Sequence, residues 1–498
     1  MNVNPITRLD YPDPDVIRVE DTYYMVSTTM HFMPGCEILQ SFDLVHWEHV
    51  TYVYETLDHT DAQQLKSGQN IYGQGMWAAS LRYHEGRFYI CFVANDTRKT
   101  YLYTSEKIDG PWKKQLIEGF YHDGSLLFDE DGRNYIVYGN DEIWITELNE
   151  DLTAPKKDGL HRLLVSDHKN PELGYEGSHI QKINGYYYIF LIHSLRDRWM
   201  RTEACFYSDS LEGEFTGGDV LCDDRGYCGQ GVAQGGIVDT PDGKWYAMLF
   251  QDSGAVGRIP ILVPVTWKDH FPVFGQNGHV PEEIEVHSTR PGYIYQPLVG
   301  SDDFCNGLLP RWQFNHDPDP RYYHLDALQG TYTITTREVC TELTQAVNTL
   351  TQRMSYPSCA AEVTVDASAL KEGDVAGLCA LQSCYAAVGI TKHHGKYEVL
   401  MLDKKEDGIL DMTERTVVES HQMDFRLEAD FCNMKDEARC YYRVNKGDWL
   451  PIGNVHKLYF KLDHFTGCRF GLFCYAAEET GGSACFRDFK YYDVDEIS

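Results

Sequence analysis

Three acidic residues hold the same place in a repeated stretch of this sequence. Asp13 lies in Tyr11-Pro12-Asp13-Pro14-Asp15, Asp123 in His122-Asp123-Gly124-Ser125 and Glu176 in Tyr175-Glu176-Gly177-Ser178. Hydrolysis of a glycosidic bond uses such groups. One carboxylic acid protonates the leaving oxygen and one carboxylate activates water, about 6.5–9.5 Å apart when the anomeric centre inverts. A third carboxylate near the acid keeps it protonated by like-charge repulsion and fixes its rotamer. Taken singly, each of the three also reads as a turn cap or a solvated strand edge. Their shared register is what argues for a site.

The register comes from a five-fold repeat in which a turn is followed by an aromatic strand. It recurs at Glu20-Asp21-Thr22-Tyr23-Tyr24, Glu85-Gly86-Arg87-Phe88-Tyr89, Asp131-Gly132-Arg133-Asn134-Tyr135, Asn184-Gly185-Tyr186-Tyr187-Tyr188 and Asp242-Gly243-Lys244-Trp245-Tyr246. Asp-Gly and Asn-Gly pairs suit type I′ hairpin turns, whose central residues need positive φ. The final tyrosines are 65, 46, 53 and 58 residues apart, against roughly 40–50 for a four-stranded propeller blade without insertions. No amphipathic helix intervenes. The pattern predicts an all-β chain that opens with a five-bladed β-propeller; a β-sandwich with chance hairpins is the alternative.

Twelve residues back from the last four tyrosines stand Trp77, Asp123, Glu176 and Gln234, and eleven back in the first unit stands Asp13. Innermost propeller strands face one channel, so these five positions converge. They supply three carboxylates, a tryptophan able to stack on a pyranose face and an amide. Proline on both sides of Asp13 makes a rigid, non-helical segment. Glycine after Asp123 and Glu176 permits close approach of a ligand or backbone.

The 498 residues exceed the roughly 250–300 that one core can organise, so two domains are expected, a propeller over 1–296 and a β-sandwich over 297–498. The second starts near Asp303-Phe304 and ends in Ala484-Cys485-Phe486-Arg487-Asp488-Phe489-Lys490-Tyr491. A net charge of −31 disfavours nucleic acid and anionic membranes as partners. No basic segment with an apolar run opens the chain, and no stretch reaches the ~20 apolar residues of a membrane span. The expectation is a cytoplasmic protein, with homo-oligomerisation left open. The 15 cysteines show no zinc spacing and read as reduced thiols.

These motifs resemble glycoside hydrolase family 43. Its members open with a Pro-Asp-Pro strand, continue with Asp-x-Ser-Leu-Phe and then carry Glu-Gly-Pro/Ser-His. Here these are Pro12-Asp13-Pro14, Asp123-Gly124-Ser125-Leu126-Leu127-Phe128 and Glu176-Gly177-Ser178-His179. The resemblance implies Asp13 as general base, Asp123 as modulator of the acid and Glu176 as general acid, on a five-bladed propeller. It extends to Phe32-Met33-Pro34-Gly35, Trp77-Ala78-Ala79 and Gly257-Arg258. Trp77, Arg258, Gln234 and Phe32 are the implied substrate-binding residues. Trp199 and Phe32 are candidate pocket walls, with a packing role equally open. The second half is similar to the sandwich of the β-xylosidase branch, which in relatives covers one side of the active site with a loop.

Some members hold a central calcium through a histidine near the fifth-blade position, where this chain has Gln234, a poor ligand for a hard cation by itself. No metal and no cofactor are therefore expected. The implied activity is release of xylose, with inversion, from the non-reducing end of short β-1,4-xylo-oligosaccharides. An α-L-arabinofuranosidase, alone or combined with the xylosidase, is the near alternative. A glycoside phosphorylase or a non-catalytic sugar-binding propeller is more distant.

Overall fold

Every hairpin signal in the first half of the sequence becomes the turn between the first two strands of an antiparallel sheet. The computed structural model describes residues 3–493. Blade 1 runs Asp15–Val19, Thr22–Val26, Gly35–Ser41 and Glu48–Tyr54. Blade 2 runs from Met76–His84 to Lys113–Ile117, blade 3 from Ser125–Phe128 to His161–Ser166, and blade 4 from Glu176–Ile183 to Thr216–Leu221. Blade 5 has a split inner strand, Val232–Ala233 and Ile237–Asp239, followed by Trp245–Asp252, Arg258–Lys268 and Phe271–Phe274. The five sheets form a β-propeller.

The second strands read as continuous apolar runs because a neighbouring blade covers each face. Apolar clusters fill the gaps between blades. Val26 and Ile38 meet Leu81 and Phe92, and Leu102 and Cys91 meet Leu126 and Ile136. Val137 and Ile145 meet Ile189 and Leu191, and Phe190 and Cys205 meet Leu249 and Ile261. Met25 and Leu39 of blade 1 close the ring against Met248 and Leu262 of blade 5. The N-terminal segment fastens the closure, with Ile6 N–H donating to Pro260 O at 2.9 Å and Tyr11 N–H to Arg258 O at 3.0 Å.

Downstream, an eight-stranded and a seven-stranded sheet form a β-sandwich. Leu378, Val388, Phe470 and Leu472 pack against Val363, Phe425, Leu427 and Phe486 between them. One strand of the larger sheet comes from the propeller half of the chain. Phe32–Met33 pairs antiparallel with Gln313–Asn315 and forms the sheet's edge. A buried ion pair reinforces this seam, Arg353 Nη1 lying 2.8 Å from Glu37 Oε2 with its guanidinium 4.1 Å over the Tyr11 ring. Burial pushes the Glu37 carboxyl up, but Arg353 and His49 outweigh it and hold the group at about 2.

Candidate active site

The inner strand ends of all five blades open into a cavity of about 590 Å³, lined by Asp13, Trp77, Asp123, Glu176, Gln234 and Arg258. The strands differ in how they deliver these groups. In blade 3, Tyr135 pairs with Leu127, eight residues back; in blade 4, Tyr188 pairs with Gln181, seven back. A bulge between Glu176 and His179 adds the missing residue. That compensation is why counting from the tyrosines lands on both acids. Asp13, Asp123 and Gln234 have φ of 53°, 47° and 62°, a left-handed backbone that costs such residues on the order of 1–2 kcal/mol and turns the chain at the channel mouth. Gly177 (φ 64°) lies under Gln234: a Cβ there would sit 2.8 Å from the Gln234 side chain. The glycine after Glu176 thus makes room for a neighbouring side chain of the protein.

Asp13 is held at both oxygens. Arg258 Nη1 donates to Oδ1 at 2.7 Å and Thr28 Oγ1 donates to Oδ2 at 2.5 Å. Arg258 itself is 2% exposed, and its Nε and Nη2 are buried without a hydrogen-bond partner among the described residues. The guanidinium is enclosed by the Phe250 and Phe465 rings, whose centroids lie 5.2 and 4.4 Å from it.

Glu176 and Asp123 form a second cluster. Asn140 Nδ2 donates to Glu176 Oε2 at 2.9 Å, and Asp123 Oδ2 accepts the Gly177 N–H at 3.0 Å. His122 Nε2 lies 3.5 Å from Asp123 Oδ2 and 3.6 Å from Glu176 Oε2, separations at which charge rather than hydrogen bonding dominates. Burial pulls the His122 imidazole down, but Asp123, Glu176 and Asp13 outweigh it and raise it to about 9. Burial raises Asp123, and the charges of Glu176 and Asp13 add to this against the opposing pull of His122. Potential metal-ligand atoms of His122, Asp123 and Glu176 all lie within 4.8 Å of one another. Ca²⁺ takes 6–8 oxygen ligands, whereas this cluster offers two carboxylates and an imidazole nitrogen, a poor set for that ion.

The sandwich closes one side of the cavity with Met434, Phe460, Leu462 and Phe465. Phe465 lies 4.4 Å below the Arg258 guanidinium and 5.6 Å from the Trp77 ring. Asp10 couples the two domains behind it: Oδ1 accepts the Arg258 N–H and Oδ2 the Gly467 N–H, both at 2.8 Å. On the open side stand Glu172, Leu173, Gln230 and Trp199, which is 44% exposed. Arg201 lies beside Trp199, its Nε bonded to Asp252 at 2.6 Å.

Phe32 does not line the cavity, contrary to expectation. It is 2% exposed, and the Arg469 guanidinium lies 3.4 Å from its ring centroid. Pairing of its strand with Gln313–Asn315 draws it into the seam between the domains. His122, Asn140, Thr28 and the sandwich residues were not singled out from sequence. His122 had a usable signal, adjacency to Asp123. Phe465 had none, since only tertiary contact brings it to the site.

Residues 3–272 match the Glycosyl hydrolases family 43, and residues 301–492 match the Beta xylosidase C-terminal Concanavalin A-like domain. A beta-xylosidase of Formosa agariphila is 27% identical, over 99% of this chain and 89% of its own length. A xylosidase/arabinosidase 43B of Humicola insolens is 25% identical, over 98% and 96%. Among solved structures, a bifunctional GH43-CE protein of Bacteroides eggerthii superimposes with a TM-score of 0.92 at 43% identity. The match covers 99% of this chain but 64% of that longer one. A three-acid cavity at a propeller hub, walled by a sandwich of matching type, agrees with the profile match over more than half of the sequence: the chain belongs to glycoside hydrolase family 43.

Proposed function

We propose that the protein releases xylose, with inversion, from the non-reducing end of short β-1,4-xylo-oligosaccharides. Asp13 acts as general base, Glu176 as general acid and Asp123 as the group that tunes it. The observation that carries this reading is the split of the cavity into two differently held carboxylate sites. Asp13 is fixed by Arg258 and Thr28 as an ionised acceptor, suited to drawing a proton from water. Glu176 sits among Asn140, His122 and Asp123, suited to giving one up. In a single displacement, water attacks the anomeric carbon and passes a proton to Asp13. The C–O bond breaks with its electron pair going to the glycosidic oxygen, which takes the Glu176 proton. Trp77 offers a stacking face and the Gln234 amide a hydrogen-bonding group at the cavity wall. The wall of Phe460, Leu462 and Phe465 supports exo-action by obstructing one side of the cavity.

Arabinofuranoside cleavage is the second reading, favoured by relatives described as xylosidase/arabinosidase. Initial rates on nitrophenyl β-D-xylopyranoside, nitrophenyl α-L-arabinofuranoside and xylobiose test both. Higher kcat/KM on the xyloside, with xylobiose split to xylose, is expected. Activity confined to the arabinofuranoside would replace the first reading with the second, and rapid release of internal fragments from xylan would refute exo-action.

A further inference from the structure

Glu176 is contacted asymmetrically. Asn140 Nδ2 and His122 Nε2 both face Oε2, at 2.9 Å and 3.6 Å. An oxygen that accepts from an amide and faces a second N–H is the unprotonated oxygen of a carboxylic acid, which leaves the labile proton to Oε1. The same imidazole nitrogen faces Asp123 Oδ2 at 3.5 Å and is buried without a hydrogen-bond partner among the described residues. The ring is fixed from behind: Trp77 meets it edge-on at 5.6 Å, and Gly139 N–H donates to the His122 carbonyl at 3.0 Å.

We propose that His122 is a positioning residue for the acid step, tethering Asp123 to Glu176 and supplying the positive charge that the Glu176 carboxylate meets once its proton has left. This rests on the function proposed above. The ionisable groups around the imidazole are Asp123, Glu176 and Asp13, the last already paired with Arg258. The Asp123 and Asp13 carboxylates offset the burial of the ring and favour its charged form, and Glu176 adds to them only once its own proton has left. During turnover Glu176 Oε1–H gives its proton to the glycosidic oxygen as the C–O bond breaks. The carboxylate left behind then faces His122 and Asn140, and both Glu176 and Asp13 are reset by proton exchange with solvent. His122 transfers no proton in this scheme; it sets how readily Glu176 parts with its own.

The test is the pH dependence of kcat/KM for H122Q and H122K on phenyl β-xyloside, which needs protonation, and on 2,4-dinitrophenyl β-xyloside, which does not. Loss of the positive charge makes the acid hold its proton to higher pH, so the alkaline limb of H122Q moves up by about 1 unit. kcat on the phenyl glycoside falls roughly 10-fold or more, while the dinitrophenyl rate changes far less. H122K, which keeps the charge, retains a limb near that of the wild type. A folded H122Q with an unmoved limb, or with equal losses on both substrates, overturns the role of His122. If H122Q does not fold, H122K decides: a limb displaced as far as loss of the charge requires overturns the proposal, and a retained one supports it. Wild-type turnover is the separate control, because failure to cleave either xyloside sinks the underlying function and not the placement of His122.

Discussion

Replacing His464 by phenylalanine will make the protein more tolerant of mild acid, and the size of the effect follows from where this ring lies. His464, His31 and His316 gather around Tyr72 in the seam between propeller and sandwich, with His464 stacked on Tyr72 at 3.8 Å and 2° and His31 4.9 Å from His316. Burial lowers His464 to about 3 and drives His31 and His316 well below their ordinary value. A depressed imidazole gives stability above the unfolded-state value near 6.5 and loses it as pH falls, because only the unfolded chain takes up the proton. Between pH 7.5 and pH 5 the loss through His464 is ~2 kcal/mol, from RT ln of the ratio of unfolded to folded proton binding. Other groups work the other way over this range: burial raises Asp374 and Asp436 to about 6, and the acids around His122 raise it to about 9. The total pH dependence therefore does not isolate the seam, but the difference between variant and wild type does. Phenylalanine keeps the stack on Tyr72 and removes one titrating group. Urea unfolding at both pH values will show the stability difference moving by ~2 kcal/mol in favour of H464F on acidification. A difference that stays the same at both pH values would refute the argument, since it would mean that this imidazole titrates alike in the folded and unfolded chain.

Three further outcomes follow from the site. Glu176→Gln will lose about 10²–10⁴-fold on xylo-oligosaccharides and far less on aryl xylosides with acidic leaving groups; steady-state kinetics on both classes checks it. Arg258→Met leaves the buried Asp13 carboxylate without its 2.7 Å partner and will cost about 3–5 kcal/mol of stability, read by denaturant unfolding, with loss of turnover on every substrate. Phe465→Ala removes the ring beneath Arg258, a cation–π contact of up to ~2 kcal/mol, and will lower stability by up to about that amount in denaturant unfolding; an unchanged midpoint would show that the contact contributes nothing.

Much of the propeller was legible because each blade advertises itself locally. A tight turn, Gly-containing in blades 2 to 5, fixes a hairpin, and the aromatic strand after it is buried on both faces. The positions of Asp13, Asp123 and Glu176 were legible for the same reason, with the bulge beside Glu176 compensating a register difference that no residue count reveals. Phe32 was misplaced because its strand leaves the propeller for a partner some 280 residues later, at Gln313–Asn315. That the sandwich covers one side of the site was implied by the resemblance, but Phe465 itself could not be named, because its closeness to Arg258 depends on Asp10 tying Gly467 to the fifth blade. His122 stood in plain view next to Asp123. Its environment depends on three acidic residues gathered from blades 1, 3 and 4, and that convergence needs the closed ring.

In the proposed mechanism Asp13 and Glu176 work from opposite sides of the anomeric carbon in one displacement. Proton NMR of the first sugar released from a β-xyloside, recorded before mutarotation, tests this directly. The α-anomer of xylose appearing first is the predicted result. First appearance of the β-anomer would require a covalent intermediate, for which neither acid has been given the role, and would contradict the mechanism.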